Sequence, residues 1–276
     1  MTVIPILLYH SISDDPAPWI APYAVSPTTF AQHLELAAES GRTALTVSEL
    51  ITALSGRAPL PPRPLAITFD DGFADFIGAA ETMAAHHLSS TLYVTTGALR
   101  GRGPRPPNMA LPPAPMLDWT QLNHILQLDV EIGAHSHTHR QLDTMRAADV
   151  AEEVRHSKDL LEQACGRAIP SFAYPHGFQS DRTRKVVASA GHTSACAVMN
   201  AFSSQSDNIY ALARLTVKAT TTTEQLAQWL AGSGARTAPY PERFRTTLWR
   251  WSRRLSGPVS GIAVIDSRSK RTRRGR

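Results

Sequence analysis

Short apolar runs and helical stripes alternate along most of this chain. Residues 3–9 form an apolar run short enough to be a buried strand. Ser26-Pro27 then predicts a helix start, with Ser26 as N-cap, Pro27 in the first turn, Phe30, Leu34 and Ala37 on one apolar face, and Gly41 at the end. A second short helix is predicted over 48–54, stopping at Gly56. The proline-rich stretch 58–64 leads into a strand at 65–69, a helix at 74–86 and a strand at 91–94. Six prolines between 100 and 117 mark a long irregular loop, the kind that in a compact domain tends to carry function. Beyond it the pattern predicts a helix at 119–127, a strand at 130–133, and an amphipathic helix at 148–164 that carries Val150, Val154 and Leu161 and ends at Gly166. Further strands are predicted at 171–173, 193–198 and 212–217. Strands alternating with helices give parallel α/β packing, and seven such strands can close a barrel. Barrel enzymes carry their chemistry at the C-terminal strand ends.

Composition sharpens this picture in three ways. With 42% hydrophobic and 18% charged residues the chain is globular, and no apolar run approaches the roughly 20 residues of a membrane span. Residues 1–9 lack the basic start of a secretory signal, which predicts a cytoplasmic protein. Cys165 and Cys196 make neither a disulfide framework nor a cysteine metal site. The net charge of +5 is unevenly spread. Of 28 Lys and Arg and 23 Asp and Glu, residues 236–276 hold 12 and 2, which leaves 16 and 21 for the rest. The body therefore offers no nucleic-acid face. The chain divides into one domain over 1–234 and a basic, Arg- and Trp-containing tail over 235–276 that is suited to peripheral contact with anionic lipid.

Three clusters at strand ends carry candidate chemistry. In Thr68-Phe69-Asp70-Asp71-Gly72, two adjacent aspartates converge on one site only if the strand breaks into a turn, and Gly72 gives that freedom. One carboxylate can then bind a cation while the other acts as a base. In His135-Ser136-His137-Thr138-His139, one helical turn places His135 and His139 on the same side and faces His137 away. Imidazole pairs at this spacing suit zinc and its neighbours. In Ser171-Phe172-Ala173-Tyr174-Pro175-His176-Gly177, Pro175 and Gly177 shape a rigid loop beside an aromatic residue and a backbone amide.

In this order, the three clusters resemble the motifs of the polysaccharide deacetylases, the NodB-homology domain of carbohydrate esterase family 4. The resemblance spans residues 3–217 and extends to Leu7-Leu8-Tyr9-His10, Val25-Ser26-Pro27 with Phe30, and Met116-Leu117 with Trp119. That set is similar to the branch containing poly-N-acetylglucosamine deacetylases. The resemblance implies a distorted (β/α)7 barrel and a divalent metal, usually zinc, with cobalt and nickel also compatible. It implies that Asp71, His135 and His139 are the ligands, that Asp70 is the catalytic base and that the Tyr174 amide faces the oxyanion, with Pro175, His176 and Trp119 beside the substrate. The implied substrate is an acetylated glycan or a lipid-linked saccharide. Two competing readings are hydrolysis of another non-peptide C–N bond and a sugar-binding barrel with little catalysis.

Two departures stand out. The arginine that many members carry in the third motif to orient the base is missing, so another group must orient Asp70. The late Leu-x-His that supplies a general acid is also missing, since this strand reads Ala211-Leu212-Ala213-Arg214-Leu215-Thr216. His10 is the replacement acid of choice, with His192 as the weaker alternative. His33, His86, His87, His124 and His156 fall on helical segments and read as surface residues.

Overall fold

The computed structural model describes residues 2–240 of the 276, so the tail beyond 240, and the lipid contact expected of it, lie outside the described residues. Seven parallel strands form the central sheet: β1 (Ile6–Tyr9), β2 (Pro64–Phe69), β3 (Ser90–Val94), β4 (Val130–Ala134), β5 (Ser171–Ala173), β6 (Ser194–Cys196) and β7 (Leu215–Thr216). Their spatial order is β7-β1-β2-β3-β4-β5-β6. The last segment is bonded on both sides. Leu212 bridges to Cys196 of β6, and Leu215 pairs with Leu7 of β1, which curls the sheet into a distorted (β/α)7 barrel. Only two residues of the predicted 212–217 strand pair as regular β7, because this segment changes neighbour midway.

Both faces of the sheet are covered, as expected for parallel strands. Alternate residues sort into two cores. Leu7, Tyr9, Ile67, Phe69, Leu92 and Ile132 face outward against the helices. Ile6, Ala66, Tyr93, Ala173, Cys196 and Leu212 fill the interior. Helix α2 (Val47–Leu54) supplies Val47, Leu50 and Ile51 to that inner core. It begins with a capping box in which Thr46 and Glu49 satisfy each other's backbone amides.

The remaining helices are α1 (Pro27–Glu39), α3 (Phe76–Ala85), α4 (Gln121–Ile125), α5 (Ala147–Cys165), α6 (Asp181–Ser189) and α7 (Thr223–Leu230). Ser26 caps α1 by accepting from the Thr29 amide at 3.1 Å, with Pro27 in the first turn. Pro5 divides the first apolar run. Val3–Ile4 leaves the barrel to pair antiparallel with Ala201–Ser204, which Arg236–Thr237 joins in parallel. This small sheet carries packed chain beyond residue 234. Ala238 is buried, and its amide donates to Phe202 at 2.8 Å, so the packed chain runs on past that boundary. Among the described residues, no helix is long and apolar enough to cross a membrane.

Candidate metal centre

At the end of β2 the ladder continues to Asp70, whose amide donates to the Tyr9 carbonyl at 3.1 Å. The chain then turns sharply, with Asp71 at φ 78° and Gly72 at φ 89°. Aspartate tolerates this left-handed region better than most side chains, and glycine enters it freely. The turn brings two neighbouring carboxylates to the same side of the strand end. Each residue is only 3% exposed.

His135 leaves the end of β4 and donates from Nδ1 to the Ala173 carbonyl at 2.8 Å, since a carbonyl only accepts. That bond leaves the Nε2 lone pair facing the aspartates. The link to His139 is not the expected helical turn. Ser136 and His139 adopt φ 63° and 58°, and this tight loop returns His139 beside His135 with ring centroids 5.0 Å apart. His137 faces away, its Nδ1 2.9 Å from Thr96 Oγ1 and its ring against His156.

Asp71 Oδ1 lies 3.1 Å from His139 Nε2 and 3.5 Å from His135 Nε2. The ligand atoms of Asp71, His135 and His139 all lie within 4.8 Å of one another, and all three residues are buried. Tetrahedral donors about 2.0–2.1 Å from a zinc ion would stand about 3.3 Å apart, close to the two contacts to Asp71 Oδ1. Asp71 Oδ1 is a buried acceptor with no hydrogen-bond partner within the protein. Charge agrees with this fit. Burial would raise the Asp71 pKa, but His139 overcomes it and holds the carboxyl well below its usual range. Two imidazoles and an ionised carboxylate can therefore hold a divalent ion and leave a coordination position open.

Asp70 takes a different partner. Arg214, fully buried, grips both carboxylate oxygens at 2.7 Å each. The guanidinium is itself held by Ala197 O at 3.0 Å and Thr68 Oγ1 at 3.2 Å, and lies 5.5 Å from the Tyr93 ring centre. Burial raises the Asp70 pKa, whereas Arg214 and then His135 pull it below its ordinary value. This is the group that the sequence reading required but did not name. In the sequence it stands in Leu212-Ala213-Arg214, where the late histidine was sought.

His10 follows β1 at the level of Asp70. Its ring centroid is 5.4 Å from that of Tyr23, and its charge couples most strongly to Asp71 and Asp70. Burial outweighs both and lowers its pKa. His192 precedes β6 at the opposite end of the strands, against Phe172 and near Lys158 and Glu162, so the structure does not bring it to the site. His33 corrects the surface reading: it is 1% exposed, with Nδ1 3.1 Å from the Tyr9 hydroxyl, and burial lowers its pKa to about 4.

The third motif forms one rim. His176 is exposed at φ 59°, with its ring 4.7 Å from that of His139, and Pro175 is buried beneath it. The Tyr174 amide, expected to face the oxyanion, donates to the Cys196 carbonyl at 3.1 Å, and its hydroxyl donates to Tyr210 O at 3.0 Å. That amide is thus engaged in the ladder. Trp119 also departs from expectation. It is buried in the outer core with the Arg102 guanidinium 4.4 Å above its ring. Trp19 and Tyr23, which the sequence reading did not name, form an aromatic wall, with the Tyr23 ring 5.4 Å from that of His10 and the Trp19 ring 5.7 Å from that of Phe73. Both pack against a small apolar cluster of Ile20, Phe73, Ala98, Leu111 and Met116. The proline-rich loop stitches this wall to both motifs: Leu117 donates to Gly72 O at 3.0 Å and Ala110 to Thr138 O at 2.8 Å.

A parallel seven-stranded barrel with an Asp-His-His cluster and an arginine-held aspartate at its C-terminal rim defines a class of hydrolase-like barrels. The polysaccharide deacetylase family model matches residues 57–195, half of the chain, and the chain belongs to that family. It is accordingly an enzyme of the class that hydrolyses carbon–nitrogen bonds other than peptide bonds, and the family acts on acetylated polysaccharides. YxkH of Bacillus subtilis (strain 168), a candidate polysaccharide deacetylase, is 22% identical over 215 residues, covering 78% of this chain and 71% of YxkH. Among solved structures, the deacetylase PplD of Streptococcus pyogenes in complex with acetate superposes with a TM-score of 0.72 at 24% identity, covering 82% of this chain and 97% of PplD. IcaB from Ammonifex degensii gives a TM-score of 0.70 at 20% identity, covering 83% and 97%. These two likenesses establish the shared fold.

Proposed function

We propose that this chain removes the N-acetyl group from an amino sugar within an acetylated glycan or a saccharide precursor, using a zinc ion held by Asp71, His135 and His139. The observation that carries the proposal is the division of labour between two adjacent aspartates, with Asp71 facing the imidazole pair and Asp70 gripped by Arg214. Zinc is favoured by the mixed imidazole–carboxylate donors at near-tetrahedral spacing, a set that also accepts cobalt or nickel. When bound there, the ion supplies the Lewis acid that polarises the acetyl carbonyl.

The residues of the chain do the rest. Arg214 fixes the orientation of Asp70 and keeps it ionised, so Asp70 takes the proton from the attacking water. His135 stays neutral, because burial lowers its pKa to about 4 against the pull of Asp70 and Asp71, and its Nε2 remains a lone-pair donor. His10 gives a proton to the departing amine. Burial lowers its pKa, and Asp71 and then Asp70 work against burial in favour of the protonated form. Trp19 and Tyr23 form the wall against which a sugar ring rests. The products are acetate and a free amino sugar. Acetate release from an acetylated chitooligosaccharide, measured with and without zinc restored to stripped protein, tests the proposal. No release with zinc present would overturn it.

A further inference from the structure

The segment 135–139 carries two of the three candidate ligands, yet it is neither helix nor strand. Its shape depends on left-handed backbone at Ser136 and His139. Non-glycine residues hold such conformations only where their surroundings over-determine them. Here the carbonyls are tied first. Thr96 donates to Ser136 O at 3.3 Å, Gly97 to His137 O at 2.9 Å and Ala110 to Thr138 O at 2.8 Å. Gly97 is required for this approach, since a Cβ there would stand 2.6 Å from His137 O. The His139 amide donates to Ser136 Oγ at 3.0 Å.

Three donors of the loop converge on one carboxylate of α5. The amides of His137 and Thr138 donate to Glu153 Oε2 at 3.0 and 2.8 Å, and the Thr138 hydroxyl donates to Oε1. Glu153 is 6% exposed. It sits beside Val150 and Val154 on the buried face of α5, so the loop is anchored to a packed helix. None of these contacts reaches the ligand atoms of the metal cluster.

We propose that Glu153 is a positioning residue that sets the two imidazoles at metal-binding spacing, so that metal affinity depends on it. The inference rests on the assignment of Asp71, His135 and His139 as ligands. A carboxylate offers only acceptors, which three converging donors require. Glutamine at this position keeps the shape but replaces a charged acceptor with a neutral one, and its NH2 can meet Thr138 Oγ1 only where the hydroxyl turns to accept. The ties of the loop then weaken, and with them the hold on His139 Nε2 3.1 Å from Asp71 Oδ1. Outer partners of metal ligands commonly alter affinity by about 10–100-fold.

The test measures zinc affinity of full-length protein by competition with a chromophoric chelator, at a temperature where each metal-stripped variant is folded by circular dichroism. Glu153→Gln should bind zinc about 10–100-fold more weakly than the parent. Thr138→Val, which removes one donor and keeps both amides on the carboxylate, should lose affinity to a smaller degree. Zinc binding by folded Glu153→Gln within about threefold of the parent would overturn the inference. Should Glu153→Gln fail to fold, Thr138→Val decides, and unchanged affinity there overturns it equally. If His135→Ala/His139→Ala binds zinc as well as the parent, the ligand assignment itself fails and takes this inference with it.

Discussion

Replacing Arg214 with methionine removes a cation from the barrel while nearly preserving volume. Asp70 receives two charge-assisted bonds from this one side chain, both at 2.7 Å, and the residue is 3% exposed. After the change, His135 Nε2 stands 3.7 Å from the carboxylate, an imidazole that burial keeps neutral and that cannot replace the guanidinium. Removing one partner of a buried ion pair costs about 3–5 kcal/mol. That is a large share of the roughly 5–15 kcal/mol that holds a domain folded. The variant relieves this cost by protonating Asp70, which disables the base, so kcat/KM should fall by about 10²- to 10⁴-fold. The sign with pH follows. In the parent, Asp70 titrates below its unfolded value, so its stabilisation is present above that value and is lost as pH falls through the folded one. In Arg214→Met the folded value rises, the acidic limb of the pH–rate profile moves toward neutrality, and the destabilisation is larger near pH 8 than near pH 5. Urea unfolding at about those two pH values, with kcat/KM across the range, measures both effects. Arg214→Lys should rescue only part of each, since an ammonium cannot reproduce the two-pronged grip. A stability loss below about 1 kcal/mol in Arg214→Met, with kcat/KM within about threefold of the parent, would refute the reasoning.

Further predictions concern neighbouring groups. Asp70→Asn should keep its zinc while losing activity by about 10²-fold or more; turnover at the parent rate would move the base elsewhere. His10→Ala should retain fold and metal, lose amide hydrolysis, and cleave an activated aryl acetate with a much smaller loss, because that leaving group needs little protonation. Equal losses on the two substrates would make His10 structural. His33 titrates at about 4 in the folded chain and near 6.5 unfolded, so the unfolded state binds more protons between those values. Stability should therefore fall as pH drops through that window, and His33→Gln should flatten the fall in urea titrations; an unchanged slope contradicts this reading.

Much of the barrel was legible because its strands and helices announce themselves by period. The run at 65–69, the Ser26-Pro27 start and the stripe through Val150, Val154 and Leu161 all fall where the pattern puts them. The failures share a cause, which is that local pattern carries no information about the partner a side chain meets. His33 lies on the same apolar stripe as Phe30 and Leu34, yet a polar residue on a helix reads as surface until Tyr9 is known to lie beside it. Arg214 immediately precedes β7, a strand too short for alternation to speak, and only closure of the barrel brings it to Asp70, 144 residues earlier in the chain. The third-motif amide was expected at the oxyanion from its place in the motif, but the ladder to β6 engages it. The aspartates and histidines stood out as candidates because their chemistry is crowded into five-residue windows. The groups that orient them, Arg214 and Glu153, lie on other elements and have no such window.

The central claim is that a divalent ion held by Asp71, His135 and His139 enables acetate release. The most direct measurement quantifies zinc and acetate together, in the purified parent and in His135→Ala/His139→Ala, after stripping and reloading with zinc on an acetylated chitooligosaccharide. The account predicts one zinc per chain with acetate release in the parent, and neither in the double variant. Full zinc occupancy in the double variant, or undiminished acetate release from stripped protein, would contradict it.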